Sequence, residues 1–307
     1  MDGFSCYVNG TDAVNMLRNS GMKIRKTETA ERFGLIIEIY HDKYKVRGSI
    51  HKYFNDGLHN ADDFTLENCQ EALDIFWAEF GKNPEIIPFS GLEFGVNIVL
   101  PFDVQKFLKS VILYRGGKIE GIEHDKKDKF EIDLTDYIIK VYDKSLQFPK
   151  YTLPNTLRIE YKSKRSNHVR KNVMDDNVTV IRTLSDAANV KVWEAFGRYL
   201  LQAFDKLIIF DVDVQELKIS GLISEKDAIL LENGKNPQYW EKFNGMNKKR
   251  QLDRFSALLD KHSDTKKIVR KLIADKIDFV CKSPYATFEE YFDKNTSDCR
   301  KIEIFGY

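Results

Sequence analysis

The sequence has no CxxC pair, and its four cysteines, Cys6, Cys69, Cys281 and Cys299, lie far apart. That scatter argues against a thiolate zinc site or a disulfide framework and fits a reducing cytosol. Charge of one sign is also missing. The formal net charge is +1 over 307 residues, so no global field draws the chain to nucleic acid, and any such attraction must be local. No apolar run is long enough to span a bilayer, which predicts no membrane partner. The start, "MDGFSCYVNG", has no basic segment followed by an apolar one, so no secretory signal is expected and the predicted location is the cytoplasm. There is no internal repeat and no low-complexity tract. A GxxxxGK[ST] phosphate loop is absent, which leaves no sign of a helicase.

What is present is a soluble-protein composition with strand-like and helix-like segments in distinct zones. "FGLIIEIYHDKYKVRGSIHKYFN" (33 to 55) reads as two strands around a turn near His41 to Lys43. Thr65 can cap a helix carrying Leu66, Cys69, Leu73, Phe76 and Phe80, ending before Gly81. "EIIPFSGLEFGVNIVLP" reads as a strand region broken near Pro88. A second helix is expected from Asp103 through Val111 to Gly116, followed by extended segments near 118 to 123 and 130 to 132. Strands then follow at 136 to 148, 156 to 164 and "VTVIRTL". Ser185 is expected to cap a long helix bearing Val190, Trp193, Phe196, Leu200 and Phe204.

From about residue 213 the chain turns helical and charged, in "ISEKDAILLENG", "NKKRQLDRFSALLDKH" and "DTKKIVRKLIADKI". The pattern predicts an α+β fold with an antiparallel sheet core and flanking helices, followed by a mostly helical C-terminal region. A boundary is placed near 206 to 218. It separates a sheet-containing catalytic domain, 1–210, from a helical region, 211–307, with a DNA-binding or accessory role.

Four stretches bear side chains suited to chemistry. In "GLEFGVNIVLP", Glu93, Gly95 and Asn97 share a strand face and make a notch suited to a hard cation such as Mg²⁺ or Mn²⁺, or else an ordinary half-exposed strand with a bulge. In "GSIHKYFN", Ser49, His51 and Tyr53 fall on one strand face. His51 there reads as a metal ligand, a base, a phosphate contact or a structural histidine. In "TLRIEYKSKRSNHVRK", Arg158, Glu160 and Lys162 share a face that runs on into Lys164, Arg165, Arg170 and Lys171. This is a phosphate-binding edge or a solvated loop.

The fourth stretch is "DYIIKVYDKSLQF". On one strand, Lys140, Tyr142 and Lys144 share a face. A phenol with a reference pKa near ~10 must lose its proton to attack phosphorus, and neighbouring ammonium groups favour that loss. The plain alternative is a sheet tyrosine between solvated lysines.

Taken in order, "GSIHKYFN…DFT", "EFGVNI", "IIKVYDKSLQ" and "LRIEYK…TLSD" resemble the replication initiators of small phages and plasmids that copy by rolling circle, of the filamentous-phage and related plasmid type. The likeness covers roughly residues 33 to 210, and "IKVYDKSLQ" is its most specific piece. The resemblance implies a sheet fold of the HUH nickase class. It implies a metal-dependent DNA nickase and strand transferase that cuts one strand at an origin and keeps the 5′-phosphate on a tyrosine. Tyr142 would then be the nucleophile, assisted by Lys144 and Lys140. Glu93, Asn97, Glu160 and His51 would hold Mg²⁺ or Mn²⁺. The DNA-binding residues would be Arg158, Lys162, Lys164, Arg165, Arg170 and Lys171. The implied partners are origin DNA, single-stranded or supercoiled, with a host helicase, a polymerase and a second copy of the chain as further candidates. One departure is plain: the chain has no His-hydrophobic-His pair, so "EFGVNI" would have to supply oxygen ligands in its place. The rival reading is a non-catalytic DNA-binding replication or copy-control protein of the same fold.

Overall fold

The computed structural model describes residues 2–19, 22–80, 87–114, 117–118, 128–164, 182–211 and 223–282. Its strands are β1 (Gly3–Asn9), β2 (Thr29–Arg32), β3 (Leu35–Ile39), β4 (Lys43–Ser49), β5 (Phe89–Val99), β6 (Val111–Tyr114), β7 (Gly117–Lys118), β8 (Lys129–Asp133), β9 (Tyr137–Asp143), β10 (Thr156–Ser163) and β11 (Leu207–Ile209). Its helices are α1 (Thr11–Asn19), α2 (Ile50–Phe54), α3 (Leu66–Phe80), α4 (Val104–Ser110), α5 (Lys144–Gln147), α6 (Val190–Asp205), α7 (Glu225–Gly234), α8 (Gly245–His262) and α9 (Thr265–Lys282). Eight strands form one sheet in the order β2-β3-β4-β1-β5-β10-β9-β8, and every pairing in it is antiparallel. The architecture is α+β: an antiparallel sheet flanked by helices, with a helical C-terminal region.

Strict alternation decides which way the sheet faces. In β5, Leu92, Phe94, Val96 and Ile98 are buried on one side, and in β10 so are Leu157, Ile159 and Tyr161. Helices α3 and α6 cover that side. Phe76 of α3 meets Phe4 edge-on at 6.1 Å, and Phe196 of α6 stacks on Phe94 at 5.6 Å. Burying each such ring contributes about 1.5–3 kcal/mol, so this face is where the sheet gains its stability. The opposite face carries Lys43, Lys45 and Arg47 on β4, Ser5 and Tyr7 on β1, Glu93 and Asn97 on β5, Arg158, Glu160 and Lys162 on β10, and Lys140 and Tyr142 on β9.

Capping fixes several boundaries. Thr65 Oγ1 accepts from Asn68 N at 3.2 Å at the start of α3, and Asp103 accepts from Lys106 N at 2.7 Å at the start of α4. Ser224 caps α7 by accepting from Asp227 N at 3.2 Å. Four expectations need correction. Helix α4 stops at Ser110, because the β-branched and aromatic run from Val111 to Tyr114 pairs as β6. Asn189, not Ser185, caps α6; Ser185 lies in a preceding 3-10 turn, Leu184–Ala188. The strand at 43–49 ends in α2, capped by Ser49, so His51 is helical rather than part of a strand face. Strand β9 ends at Asp143, which caps α5 by accepting from Leu146 N at 3.2 Å, so Lys144 leaves the strand. The segment "VTVIRTL" falls largely outside the described residues.

A second apolar cluster joins Leu113, Ile208 and Phe210 to Leu230, Leu231, Trp240, Phe255 and Leu259. Helix α9 does not belong to it. Its Val269, Ile273 and Ile277 pack into the main core. Among the described residues, no helix is long and apolar enough to cross a membrane.

Candidate active site

Sheet register assembles the centre of the site from three strands. Arg158 pairs with Tyr142 on one side and Asn97 on the other, and Glu160 pairs with Lys140 and Gly95. These side chains share the open face, so hydrogen bonds between them follow. Arg158 donates from Nε to Glu160 at 2.8 Å, from one terminal nitrogen to Asn97 Oδ1 at 2.9 Å, and from the other to Asp2 Oδ2 at 2.7 Å. Lys140 Nζ donates to Glu160 Oε1 at 3.0 Å, and the Tyr142 hydroxyl donates to Glu160 Oε2 at 3.4 Å.

The glycine at 95 is what lets Glu160 lie flat. A Cβ there would sit 2.5 Å from Glu160 Cβ and 2.8 Å from the Ile159 carbonyl. Gly95→Ala should therefore cost about 1–3 kcal/mol through overpacking, read as a lowered urea midpoint. The notch expected at this position is filled by the neighbouring strand.

Residues remote in sequence complete the network. Asp2 also accepts from Asn60 Nδ2 at 2.8 Å and from the Ser49 hydroxyl. Asn60 Oδ1 in turn accepts from Lys144 Nζ at 2.8 Å, and Gln147 accepts from the same ammonium at 3.0 Å. Lys144 is fully buried. Its Nζ lies 4.6 Å from the Phe148 ring centroid and 5.6 Å from that of Tyr142. The Lys140-Tyr142-Lys144 row is thus corrected. Lys140 and Tyr142 are half-buried on the open face, whereas Lys144 enters the interior from a helix start.

The charges tune one another. Burial pushes Asp2 up, but Arg158, His51, Ser49 and Lys144 outweigh it and hold the carboxyl at about 2. Burial likewise opposes the charge on Glu160, and Arg158 and Lys140 overcome it, so its carboxyl stays below the usual range. Burial and the neighbouring Arg158 bring Lys144 down to about 7. Burial raises the Tyr142 phenol above its usual value; Arg158 pulls the other way without reversing it. The resting nucleophile candidate is a neutral phenol.

The remaining candidates are placed as follows. His51 donates from Nε2 to Asp62 at 2.6 Å, and its ring stacks on Phe64 at 4.6 Å. Burial holds its imidazole below the usual range, against the pull of Asp62. Glu93 pairs with Lys162. Arg158 is not an exposed phosphate edge: it is 2 % exposed, and its guanidinium is satisfied by Glu160 on its own strand and by Asn97 and Asp2 on two other segments. Lys164 pairs with Asp133, and its Nζ also donates to the Leu134 carbonyl at 2.9 Å. Arg165, Arg170 and Lys171 lie outside the described residues.

Glu93, Asn97, Glu160 and His51 do not form a metal-ligand set in this arrangement. Asn97 accepts from Arg158 at Oδ1 and donates from Nδ2 to the Ala61 carbonyl at 2.9 Å. Glu160 is taken by Arg158 and Lys140. A divalent ion between Asn97 and Glu160 would meet the guanidinium instead of a further oxygen. Among the described residues, no group of three or more His, Cys, Asp and Glu side chains could hold a metal ion. Sequence reasoning missed Asp2, Asn60, Asp62 and Gln147. Three of them sit on irregular segments, where no periodicity marks them.

The chain matches no protein-family model and no curated protein.

Proposed function

We propose that the chain is a DNA nickase and strand transferase of the rolling-circle initiator type, which cuts one strand and holds its 5′-phosphate on Tyr142. The observation that carries this reading is the setting of the Tyr142 hydroxyl. It belongs to a half-buried ring on the sheet face away from α3 and α6 and is hydrogen-bonded to Glu160, with Arg158, Lys140 and Lys144 in the same network. A sheet fold of the HUH class is part of the proposal.

The reaction is transesterification. The Tyr142 oxygen attacks phosphorus, the O–P bond forms, and the bond to the 3′-oxygen breaks in line. Glu160 is the acceptor for the phenol proton, and the departing 3′-oxygen takes its own from water. Lys140 and Arg158 place positive charge beside the oxygens that gain charge in the transition state. The Mg²⁺ or Mn²⁺ implied by the resemblance has no ligand set among the four candidates as they stand, so the electrostatic work falls to these side chains. Lys144 does not reach the open face. It is a positioning residue that holds Asn60, Gln147 and the ring of Tyr142.

The test is covalent capture. Protein incubated with a 3′-end-labelled, randomised single-stranded DNA pool should give a labelled band of protein mass on a denaturing gel. A non-catalytic DNA-binding protein is favoured by one observation, the raised affinity of the Tyr142 phenol for its proton. It predicts retained DNA without the covalent band.

Lys144 gives a separate prediction in stability. A lysine held at about 7 in the fold and near ~10.4 when unfolded binds fewer protons in the native state between those values. Stability should therefore rise with pH from about 7 towards 10 by as much as several kcal/mol. Lys144→Met should remove that slope, whatever its effect on stability at pH 7. Urea titrations at pH 7 and 9.5 measure it; an equal slope in parent and variant would assign the rise elsewhere.

A further inference from the structure

The open sheet face does not end at Tyr142. Beyond Asp2, Ser49 and Asn60 lies a groove of about 500 Å³. Its floor includes Gly3, Ser5 and Gly91, and its walls carry Lys45, Arg47, Lys52 and Lys162. Glu93 in the same groove is paired with Lys162, and Arg47 is paired with Glu38. Among the described residues, Lys43, Lys45 and Lys52 have no carboxylate at ion-pair distance. Lys45, Arg47, Lys52 and Lys162 line the groove against the carboxylates of Asp2 and Glu93, so it is net positive in a chain whose overall charge is close to zero.

Outside the groove's lining, paired across the sheet with its wall residue Lys45 and on the same face of β1 as Ser5, stands Tyr7. The ammonium groups of Lys43 and Lys45 lie 5.7 Å and 5.8 Å from its ring centroid. The ring is half-buried. An aromatic ring on an open sheet face, flanked by cations and continuous with a basic groove, is the arrangement that takes an unpaired base. The ring offers a stacking surface that every base can use, and the lysines take the phosphates on either side. A duplex offers no unpaired base face for the ring.

We infer that this groove binds single-stranded DNA, with Tyr7 as the stacking platform and Lys43, Lys45, Arg47 and Lys52 as phosphate contacts, and that it leads the strand towards Tyr142. The strand's direction of travel rests on the proposed nicking reaction; the binding itself does not. The diagonal from Tyr142 to Tyr7 crosses β10 and β5 and runs along β1. At ~4.8 Å per strand and ~3.3 Å per residue it is on the order of 30 Å, enough for several nucleotides.

The test is fluorescence anisotropy in EDTA, with a labelled twelve-thymidine strand and the matching duplex as probes. Single strand should bind more tightly than duplex. Tyr7→Ala should weaken it by about 5- to 150-fold, the equivalent of ~1–3 kcal/mol for one stacked base, while Tyr7→Phe keeps the parent's affinity. Lys45→Gln, Arg47→Gln and Lys52→Gln together should lower the log–log salt slope by about 2, at ~0.7 per contact. Lys109→Gln, Lys191→Gln and Lys226→Gln together remove the same charge elsewhere and should leave the slope unchanged. Circular dichroism checks that each variant is folded. Equal affinity for duplex, an unaffected Tyr7→Ala, or a slope lowered equally by both triple variants would overturn the inference. The assay involves no bond chemistry, so failure to form a covalent adduct would count against the nickase reading and leave this one standing.

Discussion

Tyr142→Phe should abolish formation of the covalent protein–DNA band, by at least about 10³-fold in rate, while leaving the fold in place. Phenylalanine keeps the ring where Lys144 approaches it, and it removes only the oxygen that donates to Glu160. That hydrogen bond is 3.4 Å long and half-exposed in setting, so its loss costs about 1 kcal/mol or less in stability. The two effects are separable. A denaturation curve near the parent's, together with no band, is the expected pair of results. A variant that still forms the band shows that another group is the nucleophile. Tyr137 is a poor substitute: it is buried on the helix-covered face and packs on Tyr161 at 5.2 Å. Tyr151 is exposed, and its ring lies 4.0 Å from that of His59.

Asp2→Asn should lower stability at neutral pH by about 3 kcal/mol, towards the lower end of what removing one partner of a buried ion pair costs. Arg158 would keep Glu160 and Asn97 but lose the carboxylate that takes its remaining nitrogen at 2.7 Å. The pH dependence gives the signature. The Asp2 carboxyl sits at about 2 in the fold against an ordinary value near ~3.9. Its stabilising contribution is therefore complete above about pH 4 and is lost as pH falls through 2, by roughly 2–3 kcal/mol. The parent should lose this increment on acidification, and the variant should not. Identical acid-unfolding slopes would mean that Asp2 is not ionised against Arg158.

Most of the fold was legible because alternation and capping are local. Leu157, Ile159 and Tyr161 against Arg158, Glu160 and Lys162 announce a two-faced strand, and Thr65 and Asp103 mark helix starts. Two of the four corrections, at His51 and at Lys144, share one cause. Where a capping side chain interrupts an alternating pattern, period-two counting runs on past the strand's real end. Asp143 turned Lys144 inward in this way, and Ser49 put His51 on a helix. Both Asp143 and Ser49 are good cap residues, so the signal was present but weaker than the alternation.

The site was legible only in its strand-borne half. Tyr142, Lys140, Glu160, Arg158 and Asn97 come together because three adjacent strands are in register. That Arg158 is buried could not be read from its strand. Its burial depends on Asp2, 156 positions away in the chain, and on Asn60 and Asp62 folding over the end of β5. The same long-range closure fills the expected metal notch with a guanidinium.

The most direct measurement of the central claim is the position of the DNA on the protein. Trypsin cutting after Lys140 and Lys144 releases Val141–Lys144, which holds Tyr142 and no other tyrosine. After covalent capture, nuclease trimming and digestion, mass spectrometry should find this peptide carrying a nucleotide through a phosphodiester to Tyr142. An adduct on the peptide holding Tyr137 or Tyr151, or a DNA-bound protein with Val141–Lys144 unmodified, would contradict it.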